Sequence, residues 1–175
     1  MIKIAYEQKW RQRWKDARLF EADPSSKPKC FITFPFPYVN GPLHLGHTFT
    51  LTRLDVYARF KRMQGFNVLF PFAFHATGEP IVGVAERLRK GDKTQEKILI
   101  DAGVSKEELS KFKDPKYIAR YWQKRIMEDV NMLGVSIDWR RSFMTIDQEF
   151  NRFIQWQYKK LKRKGYISKG THPVI

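Results

Sequence analysis

Residues 36–47 read Phe-Pro-Tyr-Val-Asn-Gly-Pro-Leu-His-Leu-Gly-His and lie between an apolar run, residues 30–36, and an amphipathic segment, residues 48–64. This order is typical of a strand, a turn rich in proline and glycine, and a helix. His44 and His47 would then lie at the N-terminus of the helix, where free backbone N–H groups and the helix dipole favour an anion. We therefore predict an anion site at this turn, with a nucleotide phosphate as the expected ligand.

The segments on either side of the turn predict a βαβ unit. Residues 30–36 are almost continuously apolar, as in a strand that is buried on both faces of a parallel sheet. Residues 67–71 form a second short apolar run, and the helix between the two runs would make a right-handed crossover. Ligands of such sheets bind at the carboxyl ends of the strands. Residues 72–79 should therefore lie at the same edge as the two histidines.

The rest of the chain predicts mainly helices. Residues 2–20 have the spacing of an amphipathic helix, whose apolar stripe should pack on the main body. Its members are Tyr6, Trp10, Trp14 and Ala17. A final basic amphipathic helix is expected over residues 147–164. The predicted parts are 1–28, an N-terminal helix and loop; 29–91, the first βαβ half of a nucleotide-binding domain; 92–142, a helical insertion; and 143–175, the basic helix with the C-terminal residues.

The formal net charge of +15 indicates an affinity for polyanions. Nucleic acid is the leading partner, ahead of an anionic membrane, and a solvated basic surface is the alternative. Residues 152–169 contain seven basic residues and no acidic one, with aromatic residues between them. Cys30 is the single cysteine, so neither a disulfide nor a Cys-x-x-Cys site can form. No apolar signal core or membrane-spanning run occurs, and we expect a cytoplasmic location and no membrane partner.

Other common site motifs do not occur. The sequence contains neither Gly-x-Gly-x-x-Gly nor Gly-x4-Gly-Lys-Ser/Thr, so a dinucleotide fingerprint and a P-loop have no support. His44, His47 and His75 do not have the spacing of a zinc site, and no thiolate or nearby carboxylate completes a ligand set. We predict no protein-bound metal in this segment.

The tetrapeptide at residues 44–47 resembles the HIGH motif of class I aminoacyl-tRNA synthetases, although other nucleotidyltransferases share an H-x-G-H turn. Residues 36–43 resemble the subgroup that handles leucine, isoleucine, valine and methionine. The resemblance implies an α/β fold, the first half of a Rossmann-like nucleotide-binding domain with an added N-terminal helix and a helical insertion. Further tracts are similar to leucyl-tRNA synthetases of the archaeal and eukaryotic cytosolic type: residues 48–53, 69–78, 153–158, 165–166 and 169–170.

The resemblance implies that leucine is activated by ATP, accompanied by Mg²⁺, and that the leucyl group then passes to tRNA(Leu). Such chemistry needs positioning and hydrogen-bond donors aimed at charge on phosphate oxygens. By resemblance, the catalytic residues are His44 and His47. The implied ATP-binding residues are Asn40, Gly41, His44, Gly46 and His47. The implied amino-acid-binding residues are Phe36, Tyr38, His75 and Glu79, with His75 where many relatives carry an aspartate for the substrate ammonium.

A class I synthetase also needs a second nucleotide-binding half with a Lys-Met-Ser-Lys-Ser-type loop, and no such loop occurs in this sequence. The resemblance therefore implies an N-terminal piece of a larger enzyme, in which residues 143–175 reach the start of the connective, editing-domain insertion and the remaining chain is a partner. The alternatives are a sister synthetase for isoleucine, valine or methionine, a small nucleotidyltransferase, and a non-catalytic RNA-binding module.

Overall fold

The computed structural model describes residues 2–171, with side chains from residue 4 onward. Residues 172–175, where the sequence is expected to enter the connective insertion, lie outside the described residues. Two short 3₁₀ helices span Leu109–Lys113 and Trp139–Arg141. The other elements, in chain order, are α1 (Ile2–Asp16), β1 (Lys29–Phe31), α2 (Leu45–Met63), β2 (Asn67–Leu69), β3 (Ala73–Phe74), α3 (Glu79–Arg89), α4 (Lys93–Asp101), α5 (Pro115–Met132), β4 (Phe143–Met144) and α6 (Gln148–Arg163).

The four strands of the described residues 2–171 form two parallel two-stranded sheets. Strand β1 pairs with β2, with Cys30 opposite Val68, and strand β3 pairs with β4, with Phe74 opposite Met144. A parallel bridge between Tyr38 and His75 continues the first pairing beyond the regular strands. Residues 67–75 thus form the middle of three parallel tracks. The α/β class and the βαβ unit built on β1, α2 and β2 are therefore confirmed.

Strand β1 and the residues after it are covered on one face only. Ile32 and Phe34 are buried at 6% and 3% exposure, whereas Phe31 is 66% exposed. Successive side chains of an extended chain point to opposite faces, and Phe34 stacks on Phe72 of the neighbouring track with 5.4 Å between ring centroids. The expectation of a strand buried on both faces is wrong for the described residues, because continuous apolarity does not reveal what covers each face.

The chain segment that connects β3 to β4 forms a helical core. Helix α3 packs against α5 and against the 3₁₀ helix at Leu109–Lys113. Asp114 begins α5, because its side chain accepts a hydrogen bond from Lys116 N at 2.9 Å and a proline occupies the first helical position. Trp122, Phe112, Ile118 and Ile126 are fully buried here. Helix α3 belongs to the predicted part 29–91, yet it packs against α5 of the predicted part 92–142. The boundary between these two parts stays a prediction.

Helix α1 contacts the body near its C-terminal end. Trp14 makes an edge contact with Phe20 at 5.6 Å between centroids, and the Arg59 guanidinium lies 4.8 Å from the Trp14 ring. Tyr6 and Trp10, however, are 59% and 48% exposed. The expectation that the whole aromatic stripe packs on the body is therefore wrong. The helix also ends at Asp16 and not at residue 20.

A buried polar network fixes α2 to the loop after α5. The Asp55 carboxylate accepts hydrogen bonds from both the backbone N–H, at 2.7 Å, and the hydroxyl of Ser136, which is fully buried. Arg62 donates to Ser136 Oγ at 2.6 Å and to Ser136 O at 3.0 Å. Arg59 donates to Asp55 and to Gly134 O. These contacts fix the helix whose first residues form the predicted site.

The predicted helix over residues 147–164 is confirmed as α6, within one residue at each end, and none of its residues is buried. Its Phe150 stacks on Phe143 of β4 at 5.1 Å between centroids, and its Asn151 donates to Thr145 O at 3.5 Å. Within residues 2–171, no helix combines the length and apolarity needed to cross a bilayer.

Candidate active site

The two histidines cap the N-terminus of α2 reciprocally. His44 is the N-cap residue, and its Nδ1 accepts a hydrogen bond from Gly46 N at 3.1 Å. His47 Nδ1 accepts in turn from His44 N at 3.3 Å. This arrangement is a capping box in which imidazoles take the places of the usual hydroxyl and carboxylate. The prediction that both histidines lie at a helix N-terminus is confirmed, and the helix begins at Leu45, three residues earlier than predicted.

The cap determines which ring nitrogen carries the proton. A neutral imidazole has one donor and one acceptor nitrogen, and the hydrogen bond made by one nitrogen fixes the role of the other. Because Nδ1 accepts in both His44 and His47, both protons lie on Nε2. The rings are 3.9 Å apart between centroids. The turn therefore holds two Nε2–H donors side by side.

The electrostatics of the turn favour a neutral His47 and an anionic ligand. Burial, and secondarily the proximity of His44, lower the pKa of His47 from its usual value of 6.5. A neutral His47 keeps the Nδ1 lone pair that the cap requires. The first turn of α2 has no acidic residue, so no carboxylate of that turn occupies the positive end of the helix dipole.

Gly46 leaves room for the His44 ring. A Cβ on Gly46 would lie 2.9 Å from His44 Cε1 and 3.1 Å from His44 Nδ1, so the ring would have to move from its capping position. Asn40 and Gly41 lie in the preceding turn, and a Cβ on Gly41 would have no atom within 4 Å. The geometry there accepts residues other than glycine.

A cavity of about 410 Å³ adjoins the capped turn, a size in the range of small-ligand sites. It brings together five of the predicted site residues, whereas Asn40, Gly41, His75 and Glu79 do not line it. Sequence reasoning missed Phe34 and Thr50. Thr50 lies one helical turn after His47, and that spacing could have identified it. The lining residues are Phe34, Pro35, Phe36, Pro37, Tyr38, His44, Gly46, His47 and Thr50.

His75 lies next to this cavity through its contact with Tyr38. The two rings are stacked, with 4.2 Å between centroids and 19° between planes. The backbones are also paired, since His75 N donates to Pro37 O at 2.9 Å and Val39 N donates to His75 O at 3.2 Å. The parallel bridge thus places the carboxyl end of the middle track beside the turn, as the βαβ order predicts.

The remaining predicted residue, Glu79, is the first residue of α3 and is exposed. Its role stays a prediction. Within residues 2–171, no group of three or more histidine, cysteine, aspartate or glutamate side chains has the arrangement of a metal site. Cys30 is a half-buried free thiol.

Comparison with known proteins reveals the family. Residues 9–175 match the family described as tRNA synthetases class I (I, L, M and V). A leucine–tRNA ligase of Aeropyrum pernix is 51% identical over 174 residues, which are 98% of this chain and 18% of that enzyme. A leucine–tRNA ligase of Methanopyrus kandleri is 49% identical over 169 residues, 96% of this chain and again 18% of the relative.

A solved structure supports the fold. The crystal structure of the ternary complex of Agrobacterium radiobacter K84 agnB2 LeuRS with tRNA and LeuAMS matches with a TM-score of 0.70 and 24% sequence identity. The match covers 91% of this chain and 17% of that one. The chain thus spans less than a fifth of the length of these relatives. The expected likeness to archaeal leucyl-tRNA synthetases is confirmed, and the chain belongs to the class I tRNA synthetases of the I, L, M and V group.

Proposed function

We propose that this chain is part of a leucine–tRNA ligase, which activates leucine with ATP to leucyl-adenylate and transfers the leucyl group to tRNA(Leu). Its partners would be ATP with Mg²⁺, leucine, tRNA(Leu) and the remainder of the synthetase chain, in the cytoplasm and without a membrane partner. The observation that carries the proposal is the pair of Nε2–H donors that His44 and His47 hold at the N-terminus of α2. Identities of about 50% to leucine–tRNA ligases support leucine as the amino acid.

In this reaction the leucine carboxylate attacks the α-phosphate of ATP and pyrophosphate leaves. The transferred group needs no covalent bond to the protein, and catalysis depends on donors aimed at the charge that develops on the phosphate oxygens. The two imidazoles, at the positive end of the α2 dipole, are such donors. The ATP-binding set that we propose, Asn40, Gly41, His44, Gly46 and His47, lies in this turn and the segment just before it.

The amino-acid side of the site would be formed by four further residues. Phe36, 38% exposed, and Tyr38 line the cavity and offer an apolar surface with a polar tip. This chemistry suits the side chain of leucine. We propose that His75, stacked on Tyr38, binds the ammonium group of the substrate, and that Glu79 assists at the same edge of the sheet.

The test is leucine-dependent exchange of pyrophosphate into ATP by a full-length enzyme that carries this segment. His44→Ala and His47→Ala should each reduce the exchange by roughly 100-fold or more, a typical loss for a preorganised donor. Gln64→Ala, at the exposed C-terminal end of the same helix, is the matched control and should retain activity. Exchange that survives both histidine substitutions would disprove the assignment of the site.

Two alternatives remain testable by the same assays. A sister synthetase would exchange pyrophosphate with isoleucine, valine or methionine in preference to leucine. A non-catalytic RNA-binding module is favoured by the basic α6, none of whose residues is buried. Such a module would bind tRNA in a salt-sensitive manner and would not bind a leucyl-adenylate analogue.

A further inference from the structure

Two contacts hold the imidazole of His75: one covers a face of the ring, and the other is made by a ring nitrogen. The Tyr38 ring covers one face, with 4.2 Å between centroids. His75 Nε2 lies 3.0 Å from Thr77 Oγ1, within hydrogen-bond distance. Within the described residues 2–171, Nδ1 makes no hydrogen bond. Of the two ring nitrogens, Nδ1 is therefore the one left for a ligand.

A second threonine, Thr145, directly follows β4 and holds the loop in which His75 contacts Thr77. Thr145 Oγ1 accepts a hydrogen bond from Ala76 N at 2.9 Å, and Ala76 stands between His75 and Thr77 in the chain. The same hydroxyl lies 3.5 Å from Thr77 Oγ1. Thr145 N in turn donates to Phe74 O at 3.0 Å, which joins the loop to the parallel pairing of β3 and β4.

The hydrogen-bond donors and acceptors of His75, Thr77 and Thr145 can be matched in one consistent way. If Nε2 of His75 carries the proton, it donates to Thr77 Oγ1, and Nδ1 then has a free lone pair. The Thr77 hydroxyl can donate onward to Thr145 Oγ1, which has two lone pairs and uses one for Ala76 N. An imidazole held in this way offers an acceptor to a cationic donor such as an ammonium group.

We propose that Thr77 and Thr145 are positioning residues that hold His75 with Nδ1 as the acceptor for the ammonium group of the amino-acid substrate. The inference rests on the proposed function, in which His75 binds that group. It adds the atom that makes the contact and two residues, on the loop after β3 and at the end of β4, that the sequence did not single out.

The first test exchanges His75 for its two amide isosteres in a full-length enzyme that carries this segment. The amide of asparagine reaches the place of Nδ1, and that of glutamine reaches the place of Nε2. His75→Asn should therefore keep the leucine KM nearer to that of the unmodified enzyme than His75→Gln does. The reverse order would show that Nε2 faces the substrate and would overturn the proposal.

The second test removes the hydroxyl that holds Nε2. Thr77→Val should raise the leucine KM by roughly 3- to 10-fold, the net worth of one hydrogen bond, while kcat and the ATP KM change little. Thr77→Ser should restore the leucine KM, because serine keeps the hydroxyl. Thr145→Val should act in the same direction as Thr77→Val, and Thr94→Val, an exposed threonine of α4, is the control.

The outcomes separate this inference from the proposed function. His75→Ala should raise the leucine KM by about 10-fold or more, since a hydrogen bond to a charged group is lost. A leucine KM that His75→Ala leaves unchanged would refute the proposed role of His75 itself. If His75→Ala raises the leucine KM but Thr77→Val leaves it unchanged, His75 keeps its role and the positioning by Thr77 is refuted.

Discussion

The imidazole rings of His44 and His47 lie 3.9 Å apart between centroids and are tilted by 42°. At this distance a positive charge on one ring disfavours a positive charge on the other. Burial is the larger cause of the lowered pKa of His47, and His44 is the second. His44 therefore adds to the effect of burial in keeping the His47 ring neutral.

Replacing His44 by asparagine should raise the pKa of His47 towards its usual value of 6.5, without reaching it, because the burial remains. The asparagine amide keeps an acceptor for Gly46 N, so the helix start is retained. The measurement is an NMR titration of the His47 ring resonances. A pKa of His47 that stays the same or falls in His44→Asn would contradict the electrostatic coupling, and Gln64→Ala serves as the control.

The cap and the donor of His44 can be separated by substitution. His44→Asn keeps the capping acceptor but loses the Nε2–H, so adenylate formation should fall by roughly 100-fold with little change in unfolding. His44→Gln places a donor near Nε2 but loses the cap, so it should retain more activity and lose about 1 kcal/mol of stability. Pyrophosphate exchange and chemical denaturation measure the two properties. Equal behaviour of the two variants would argue against this division of roles.

The Ser136 hydroxyl should contribute measurably to stability, because it is fully buried between Asp55 and Arg62. Ser136→Ala leaves both charged partners short of one hydrogen bond. We expect the free energy of unfolding to fall by roughly 1.5–3 kcal/mol, the range for hydrogen bonds to charged groups. Denaturant titration measures the change. Ser168→Ala, at an exposed position, should have almost no effect, and an equal loss in both variants would refute the role of the network.

Asp138 should make stability depend on pH in the acid range. Burial raises the pKa of its carboxyl, but hydrogen bonds from the Arg140 side chain and from Ala22 N prevail, and the pKa is lowered from 3.8. The folded protein then binds fewer protons than the unfolded chain. Stability from this group is therefore present above pH 3.8 and is lost as the pH falls through the lowered pKa.

The variant Asp138→Asn should show a flatter loss of stability over this acid window. Denaturation at a series of pH values measures it. The exposed Asp101→Asn, at the end of α4, is the matched control and should behave like the unmodified protein. An Asp138→Asn variant that loses stability as steeply as the unmodified protein would show that other groups dominate acid unfolding.

The features that could be predicted from the sequence depend on residues that are close together in the chain. The N-cap at His44 depends on a turn and the first residues of a helix, which are neighbours in the chain. The parallel pairing of β1 with β2, but not its register, could be inferred from two apolar runs joined by one helix. The cap of α5 is local in the same way, because the Asp114 carboxylate accepts from Lys116 N two residues later.

What the sequence missed depends on contacts between distant segments. The spacing of Tyr6 and Trp10 predicts a stripe but not what covers it, and both are exposed in the described structure. The cluster of His75, Thr77 and Thr145 forms because β3 pairs with β4, and no local pattern encodes that pairing. The ring–ring contact of Tyr38 with His75 depends on strand register in the same way.

The two parallel strand pairs are closed by crossovers of unequal length. The connection from β3 to β4, which contains α3, α4 and α5, is roughly twice as long as that from β1 to β2. Closing a flexible chain segment costs only about 0.6 kcal/mol more for each doubling of its length. The extra helices therefore add little chain entropy to the formation of the sheet, and they bring their own buried core around Trp122. This crossover is a place where the polypeptide can lengthen while His44 and His47, in the shorter crossover, keep their geometry.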